Sequence, residues 1–415
     1  MMRIKPVLHL LLALGSALPV LAASGQTTPP QNGAPTMNAS SRFAAGSNAF
    51  GFDLYRRLRT QPGNLVLSPA SISMALAMAW SGARGQTAQQ MQQALHFDGT
   101  PQAVTQAAGE LSRQLQDPAR PIKFRIANRL FGEKTYRFEQ PWLDATGAPL
   151  EALDFRHAAD AARQRINAWV EQQTEQRIQN LIPPGGLGVE TRLALVNAIY
   201  FLGDWEQPFS KDATAPQAFH SSAAAQQDVP TMFQRGRFRY VQQDGYKALE
   251  LSYQGHSLSM LLLLPDAVDG IGALEQSLDA ARLDAVVAAL QPQTVKVWLP
   301  KFEINPAGAL ALNQPLQQLG MALAFDPRQA DFTGMANPPD PQDRLYLSQV
   351  YHKAYIKADE KGTEAAAATA VVMSRAMAII HQPQVMEFRA DHPFLFFIRD
   401  DASGMILFNG RVMEP

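Results

Sequence analysis

Catalysis needs a nucleophile, an acid–base pair or a metal, and this chain arranges few residues in a way that could supply one. Cysteine is absent, which removes thiolate catalysis, cysteine-ligated zinc, iron–sulfur clusters and disulfides together. The eight histidines are scattered. His352 and the run Asp391-His392-Pro393 are the two sites suited to acid–base work, and for both a structural hydrogen bond is the simpler role. No Gly-x-Ser-x-Gly elbow, His-Glu-x-x-His helix or glycine loop ending in Lys-Ser/Thr is present. Pro184-Gly185-Gly186-Leu187-Gly188 reads as the stop and turn after a helix. Acidic residues are abundant, yet no spacing singles out a general acid and base. The residues give no positive sign of an enzyme.

The chemistry the chain does offer is conformational. Glu360-Lys361-Gly362-Thr363-Glu364 is a charged, glycine-containing hinge, and Ala365 to Ser374 follows without a charge. Four consecutive alanines favour a helix, whereas Val371-Val372 favour a strand. Read at period two, Thr363, Ala365, Ala367, Thr369, Val371 and Met373 share one face, and all six are small or apolar, as burial in a sheet requires. A segment that suits loop, helix and buried strand is a candidate switch; a surface helix of alanines is the competing reading.

Such a switch needs a large body to act on. With 415 residues and 46% hydrophobic content, the chain can bury a large core. The formal net charge is −1, with 18% charged residues, so nothing points to nucleic acid or to an anionic membrane. The basic start Met1-Met2-Arg3-Ile4-Lys5, the apolar Val7 to Leu14 and the small residues at Val20-Leu21-Ala22-Ala23 predict a signal peptide over 1–22, cut after Ala22. That implies a secreted or periplasmic protein. No later apolar run is long enough to span a membrane. Residues 23–41, rich in Ser, Thr, Pro, Gly, Gln and Asn, read as a disordered linker.

From Arg42 to Pro415 no linker or repeat divides the chain, which favours one α+β domain. Helices are predicted over Phe43–Leu58, Ile72–Trp80 with Ser68 or Ser71 as cap, Thr87–Leu95, 101–116, Ala162–Leu181 and 271–290. Strands are predicted at Asn64–Leu67, Ile122–Phe131, Phe238–Tyr240, Ala248–Tyr253, Leu258–Leu264, Val295–Leu299, Leu345–Lys357, Phe394–Ile398 and Met405–Val412. The almost unbroken apolar run Leu193–Phe201 reads as a strand covered on both faces.

Several blocks, in order, resemble the serpin family from about Phe43 to Pro415. They are Asn64 to Met78, Gly82 to Thr87, Leu195 to Phe209, Leu299 to Phe302, Asp331 to Met335, Phe388 to Ile398 and Phe408 to Arg411. The resemblance implies a single domain with three β-sheets, eight or nine helices and an exposed reactive-centre loop over about 360–392. It implies a suicide-substrate inhibitor and no enzyme. A serine protease cleaves the loop and forms an acyl-enzyme; the loop then inserts as a strand in the large sheet and traps the protease in a covalent complex. No cofactor is implied, and a monomer is expected.

The resemblance also assigns residues. Glu360, Gly362, Thr363, Glu364, Ala365 and Ala367 become the hinge. Ser68, Ser71, Asn197 and His352 become a polar cluster beneath the middle of the sheet, and Trp205 and Lys301 join Glu360 where insertion begins. Family spacing from Glu360 puts the reactive bond at Ala376-Met377, for an elastase-like target. A loop one residue shorter is cut at Arg375-Ala376, for a trypsin-like one, and counting back from Pro393 points near Gln382. The small inward residues, free of charge and proline, favour inhibition. A non-inhibitory member (chaperone, carrier or storage protein) and an inhibitor of cysteine proteases are the alternatives. The 101–116 helix lacks a basic face, which argues against activation by a polyanion there.

Overall fold

A computed structural model describes residues 37–146, 150–340, 343–363 and 385–415. The chain divides into Met1–Met37, of which Met37 alone is described, and one unit over Asn38–Pro415. The first elements are α1 (Ala39–Leu58), β1 (Leu65–Leu67), α2 (Pro69–Gly82), α3 (Gly85–Ala94), α4 (Pro101–Leu115), β2 (Lys123–Glu133), α5 (Gln140–Thr146), β3 (Leu150–Leu153), α6 (Phe155–Gln173) and β4 (Leu193–Asp204). Then come β5 (Ala215–Ser222), β6 (Ala225–Gln243), β7 (Tyr246–Ser252), β8 (Leu258–Pro265), α7 (Ile271–Ser277), α8 (Ala280–Ala289), β9 (Gln291–Pro300), β10 (Phe302–Ile304), β11 (Leu310–Ala311) and α9 (Asn313–Leu316). The chain closes with β12 (Gln349–Ala358), β13 (Gly362–Thr363), β14 (Met386–Arg389), β15 (Phe394–Asp400) and β16 (Ile406–Val412). Nine α-helices thus occur among the described residues.

The strands form two hydrogen-bonded ladders. The larger is two sheets sharing the long β6: its first part pairs with β5, its last part with β7, and β9 runs alongside both. With the smaller ladder, which contains β2, β4, β12 and β13, this makes the three sheets expected of the fold. In that smaller sheet, β4 pairs antiparallel with β2 and parallel with β12.

The face on which β4 and β12 are read decides everything near the seam between them. On one face Leu193, Leu195, Ile199 and Phe201 of β4 join Val350, Ala354 and Ile356 of β12 in the main core. Alternation puts Asn197 and His352 in the same rows, as the only polar members. On the opposite face Ala194, Val196, Ala198 and Tyr200, with Tyr351 and Tyr355, pack under Ile166, Trp169 and Val170 of α6. The strand is therefore covered on both sides, as its unbroken apolar run requires.

Several boundaries differ from the sequence reading: β6 runs over Ala225–Gln243 where only Phe238–Tyr240 was expected, β12 begins at Gln349 rather than Leu345, and three further differences have a local cause. The folded unit begins at Asn38 rather than Arg42, because the Asn38 side chain accepts from Ser41 N at 2.8 Å and caps α1; Asn38 to Ser41 therefore do not belong to the linker expected over 23–41. The helix expected over Ala162–Leu181 lies at Phe155–Gln173 instead. Asp154 caps it through His157 N, and Thr174 ends it by turning its hydroxyl back onto Val170 O at 2.8 Å. Ile178, Leu181 and Ile182 beyond it are buried without being helical, so their spacing extended the pattern falsely. The 271–290 helix is two helices, since Leu278 is extended and Asp279 caps the second through Arg282 N at 2.8 Å.

Candidate functional site

The seam between β4 and β12 is locked from beneath. His352 stands opposite Asn197 in the parallel register, and both are fully buried. The Ser68 amide donates to His352 Nε2 at 3.1 Å. A nitrogen that accepts carries no proton, so the ring is the Nδ1–H tautomer, which donates to Asn197 Oδ1 at 2.5 Å. Asn197 Nδ2 then donates to Ser71 Oγ at 2.6 Å and to Asn128 Oδ1 at 2.5 Å. Asn128 Nδ2 returns to the Ser71 carbonyl at 3.0 Å, and Ser68 Oγ caps α2 through Ser71 N at 3.2 Å. One network thus ties β2, β4, β12 and the start of α2 together. Burial pushes the His352 imidazole down to about 3, which keeps it neutral and Nε2 an acceptor.

At the other end of the seam the hinge is already between the strands. Gly362 and Thr363 form β13, opposite Asp204 and Gly203 of β4, while Thr363 also faces Ala358 of β12. A Cβ at Gly362 would stand 2.0 Å from the Gly203 carbonyl oxygen, so only glycine fits this approach. Thr363 is fully buried, with its Oγ1 2.8 Å from the Tyr253 hydroxyl. Tyr253 stacks on Trp205 at 4.6 Å, and burial holds its phenol well above the ordinary range.

The turn leading into β13 is gripped by its backbone. Trp205 N donates to the Lys361 carbonyl at 2.6 Å, Trp205 Nε1 to the Asp359 carbonyl at 2.9 Å, and Phe209 N to the Glu360 carbonyl at 2.7 Å. Lys301 Nζ lies 3.0 Å from Glu360 Oε2, and Thr214 Oγ1 donates to Glu360 Oε1 at 3.0 Å. Burial alone would raise the Glu360 carboxyl, but the hydrogen bonds from Lys301 and Thr214 outweigh it and hold the group below its usual value.

The named residues therefore fall into two groups: Ser68, Ser71, Asn197 and His352 in one network, and Trp205, Lys301, Glu360, Gly362 and Thr363 around one turn. Glu364, Ala365 and Ala367 of the hinge, and Arg375, Ala376 and Met377 of the expected reactive bond, lie outside the described residues, as do residues 1–22. Three participants were missed from sequence. Asn128 pairs with Asn197 across β2 and β4; its signal was a lone amide on the apolar face of an alternating strand. Tyr253 and Thr214 left no such signal, because their roles depend on the turn they meet.

Comparison with known proteins agrees along the whole length of the folded unit. The family model described as "Serpin (serine protease inhibitor)" matches residues 45–415. A leukocyte elastase inhibitor of Sus scrofa is 40% identical over 388 residues, which is 90% of this chain and 100% of that protein. Uncleaved ovalbumin superposes with a TM-score of 0.81 at 31% identity, covering 90% of this chain and 100% of the other. Serpin48 of the insect Tenebrio molitor gives 0.79 at 32%, covering 90% and 98%.

The His352 lock predicts acid sensitivity. An unfolded histidine titrates near 6.5 and this folded one near 3, so between those values the unfolded chain holds the extra proton and stability falls as pH falls. From this group alone the loss reaches about 2 kcal/mol by pH 5. Thermal unfolding followed from pH 7.5 to 5 should drop more steeply for the wild type than for His352→Gln; parallel curves would remove His352 as the cause.

Proposed function

The chain belongs to the serpin family and is a serine protease inhibitor, and from that premise we propose that Glu360 to Met377 is its bait and its spring. A target protease attacks the loop, forms an acyl-enzyme at the reactive bond, and is trapped in a covalent complex when the cleaved segment inserts between β4 and β12. The protein acts as a monomer and catalyses nothing itself. Ala376-Met377 is the bond we favour, for an elastase-like protease; Arg375-Ala376 is the alternative for a trypsin-like one.

The observation that carries this reading is the two-residue strand β13, seated between β4 and β12 while the rest of the seam is directly paired. It has the register of a strand whose insertion has begun. Extending its rungs, Gly362 to Asp204 and Thr363 to Gly203 on one side and Thr363 to Ala358 on the other, brings Thr369 opposite Asn197 and His352 together. Ala365 and Ala367, on the same row, pass first and ask little room. The inserting strand thus delivers a hydroxyl to the place where its arrival breaks the Asn197–His352 bond, so the buried groups keep a partner. Each backbone group of β4 and β12 released at the seam is likewise re-paired by the new strand.

Residues 1–22, which precede the family match over 45–415, we read from their own sequence as an export signal, and on that reading the inhibitor acts outside the cytoplasm. Mass spectrometry reads both ends of the proposal: the exported protein should begin at Ala23, and the peptide released by an elastase-like protease at Met377. A retained Met1, or a peptide beginning elsewhere, would overturn the corresponding assignment.

Inhibition predicts an SDS-resistant complex with the protease and a higher melting temperature once the loop is cut. Thr363→Arg should form no complex and be turned over as a substrate, because a guanidinium cannot enter the site beside Tyr253 without losing its hydration. Undiminished inhibition by that variant would refute insertion through β13.

A further inference from the structure

On the face of β12 opposite the His352 lock lies a second buried polar residue, held by a single hydrogen bond among the described residues. Lys353 projects between Tyr351 and Tyr355 beneath the connection that follows α6, and only 5% of it is exposed. Its one hydrogen bond among the described residues goes to the Gln179 carbonyl at 3.2 Å. It forms no ion pair among them, and burial pulls its ammonium below the ordinary lysine value. An ammonium has three donors, and a buried charge is costly unless it is paired.

The lysine opens into a cavity of about 380 Å³ between β12 and the α6 connection. Its lining is polar: Gln176, Arg177, Gln179, Asn180 and Asn305 surround Lys353, with Glu303 as the one carboxylate. Glu303 is exposed and sits in register with Lys357, not Lys353. The guanidinium of Arg177 stands 6.0 Å from the Tyr355 ring, adding a second cation on the connection side. That connection is held in an unfavourable shape, with Glu175, Gln176 and Asn180 all at φ between 48° and 66°, a region that costs non-glycine residues of order 1 kcal/mol each.

We propose that this cavity is a binding site for an oxyanion, either phosphate itself or the phosphoryl group of a small polar metabolite. Lys353 supplies the buried charge, and Arg177 and the amides of Gln176 and Asn180 supply donors from the other wall. The anion would bridge β12 to the α6 connection and fasten that connection over the sheet. Insofar as inhibition proceeds by strand insertion beside β12, an occupied site slows it; this last step rests on the proposed function, while the binding does not.

The test uses the full folded chain at constant ionic strength, with sodium chloride replaced by inorganic phosphate, glucose 6-phosphate or, as control, glucose. Phosphate should raise the melting temperature saturably, and calorimetry should show affinity at least tenfold weaker in Lys353→Met and stronger in Glu303→Gln. Tighter binding of glucose 6-phosphate than of phosphate would mark a phosphorylated metabolite as the ligand; equal binding would mark the free ion. Absence of a saturable rise, or the same rise in Lys353→Met, overturns the site. A second readout is the rate of complex formation with the protease, which should fall several-fold at saturating phosphate in the wild type alone. If binding is found without slowing, the regulatory step is overturned and the site stands; if no complex forms even without phosphate, it is the inhibitory reading that fails.

Discussion

The direct pairing of β4 with β12 is the interaction on which the rest depends. Seven rungs, from Gln349 opposite Ala194 to Tyr355 opposite Tyr200, join two strands that the antiparallel hinge strand is shaped to separate. Parting them exposes backbone donors and acceptors in a layer buried on both faces, where no water replaces the lost partner and each orphan costs about 1–3 kcal/mol. Nothing is recovered until a new strand occupies the gap. The closed sheet is therefore held by a barrier as much as by its own depth, and the Asn197–His352 bond lies at the middle of that pairing.

The hinge end shows how such a barrier is approached without being crossed. Gly362 fits against the Gly203 carbonyl only because it lacks a side chain, and Thr363 has its hydroxyl bonded and its side chain fully buried. The preceding carbonyls of Asp359, Glu360 and Lys361 are bound by Trp205 and Phe209. The turn is thus anchored on its outer side by backbone hydrogen bonds and the Lys301–Glu360 pair, and on its inner side by Tyr253. In the insertion proposed above, the residues after Thr363 are the ones that enter, and this anchor sets their register.

Much of this was legible from sequence because it rests on period and residue size. The unbroken run Leu193–Phe201 announced a central strand, and the period-two reading put Thr363 on the inward face where it is found; Ala365 and Ala367 of that reading lie outside the described residues. His352 stood out as a histidine suited to a structural hydrogen bond, but its pairing with Asn197 was recognisable only through family resemblance, since one amide and one imidazole separated by 155 residues carry no local pattern. The end of α6 was misread because Ile178, Leu181 and Ile182 continue an apolar spacing that Thr174 had already interrupted by bonding Val170. Side-chain capture of a backbone carbonyl competes with helix at a cost of only a few tenths of a kcal/mol, too small for periodicity to register.

His352 and Lys353 are neighbours in sequence and opposites in physics. Alternation sends the first into the core, where every polar atom of its ring has a partner, and the second to the outer face, where its ammonium has one carbonyl. The inward network buries Ser68, Ser71, Asn197 and His352 completely, so breaking one of its bonds leaves a buried partner stranded. The outer face borders a polar cavity and a connection held in strained backbone, so solvent and ions reach it without opening the sheet. If the sheet opens along this seam as proposed, the hinge turn, where the strand enters, and the outer face of β12, beneath the α6 connection, are two places that border it.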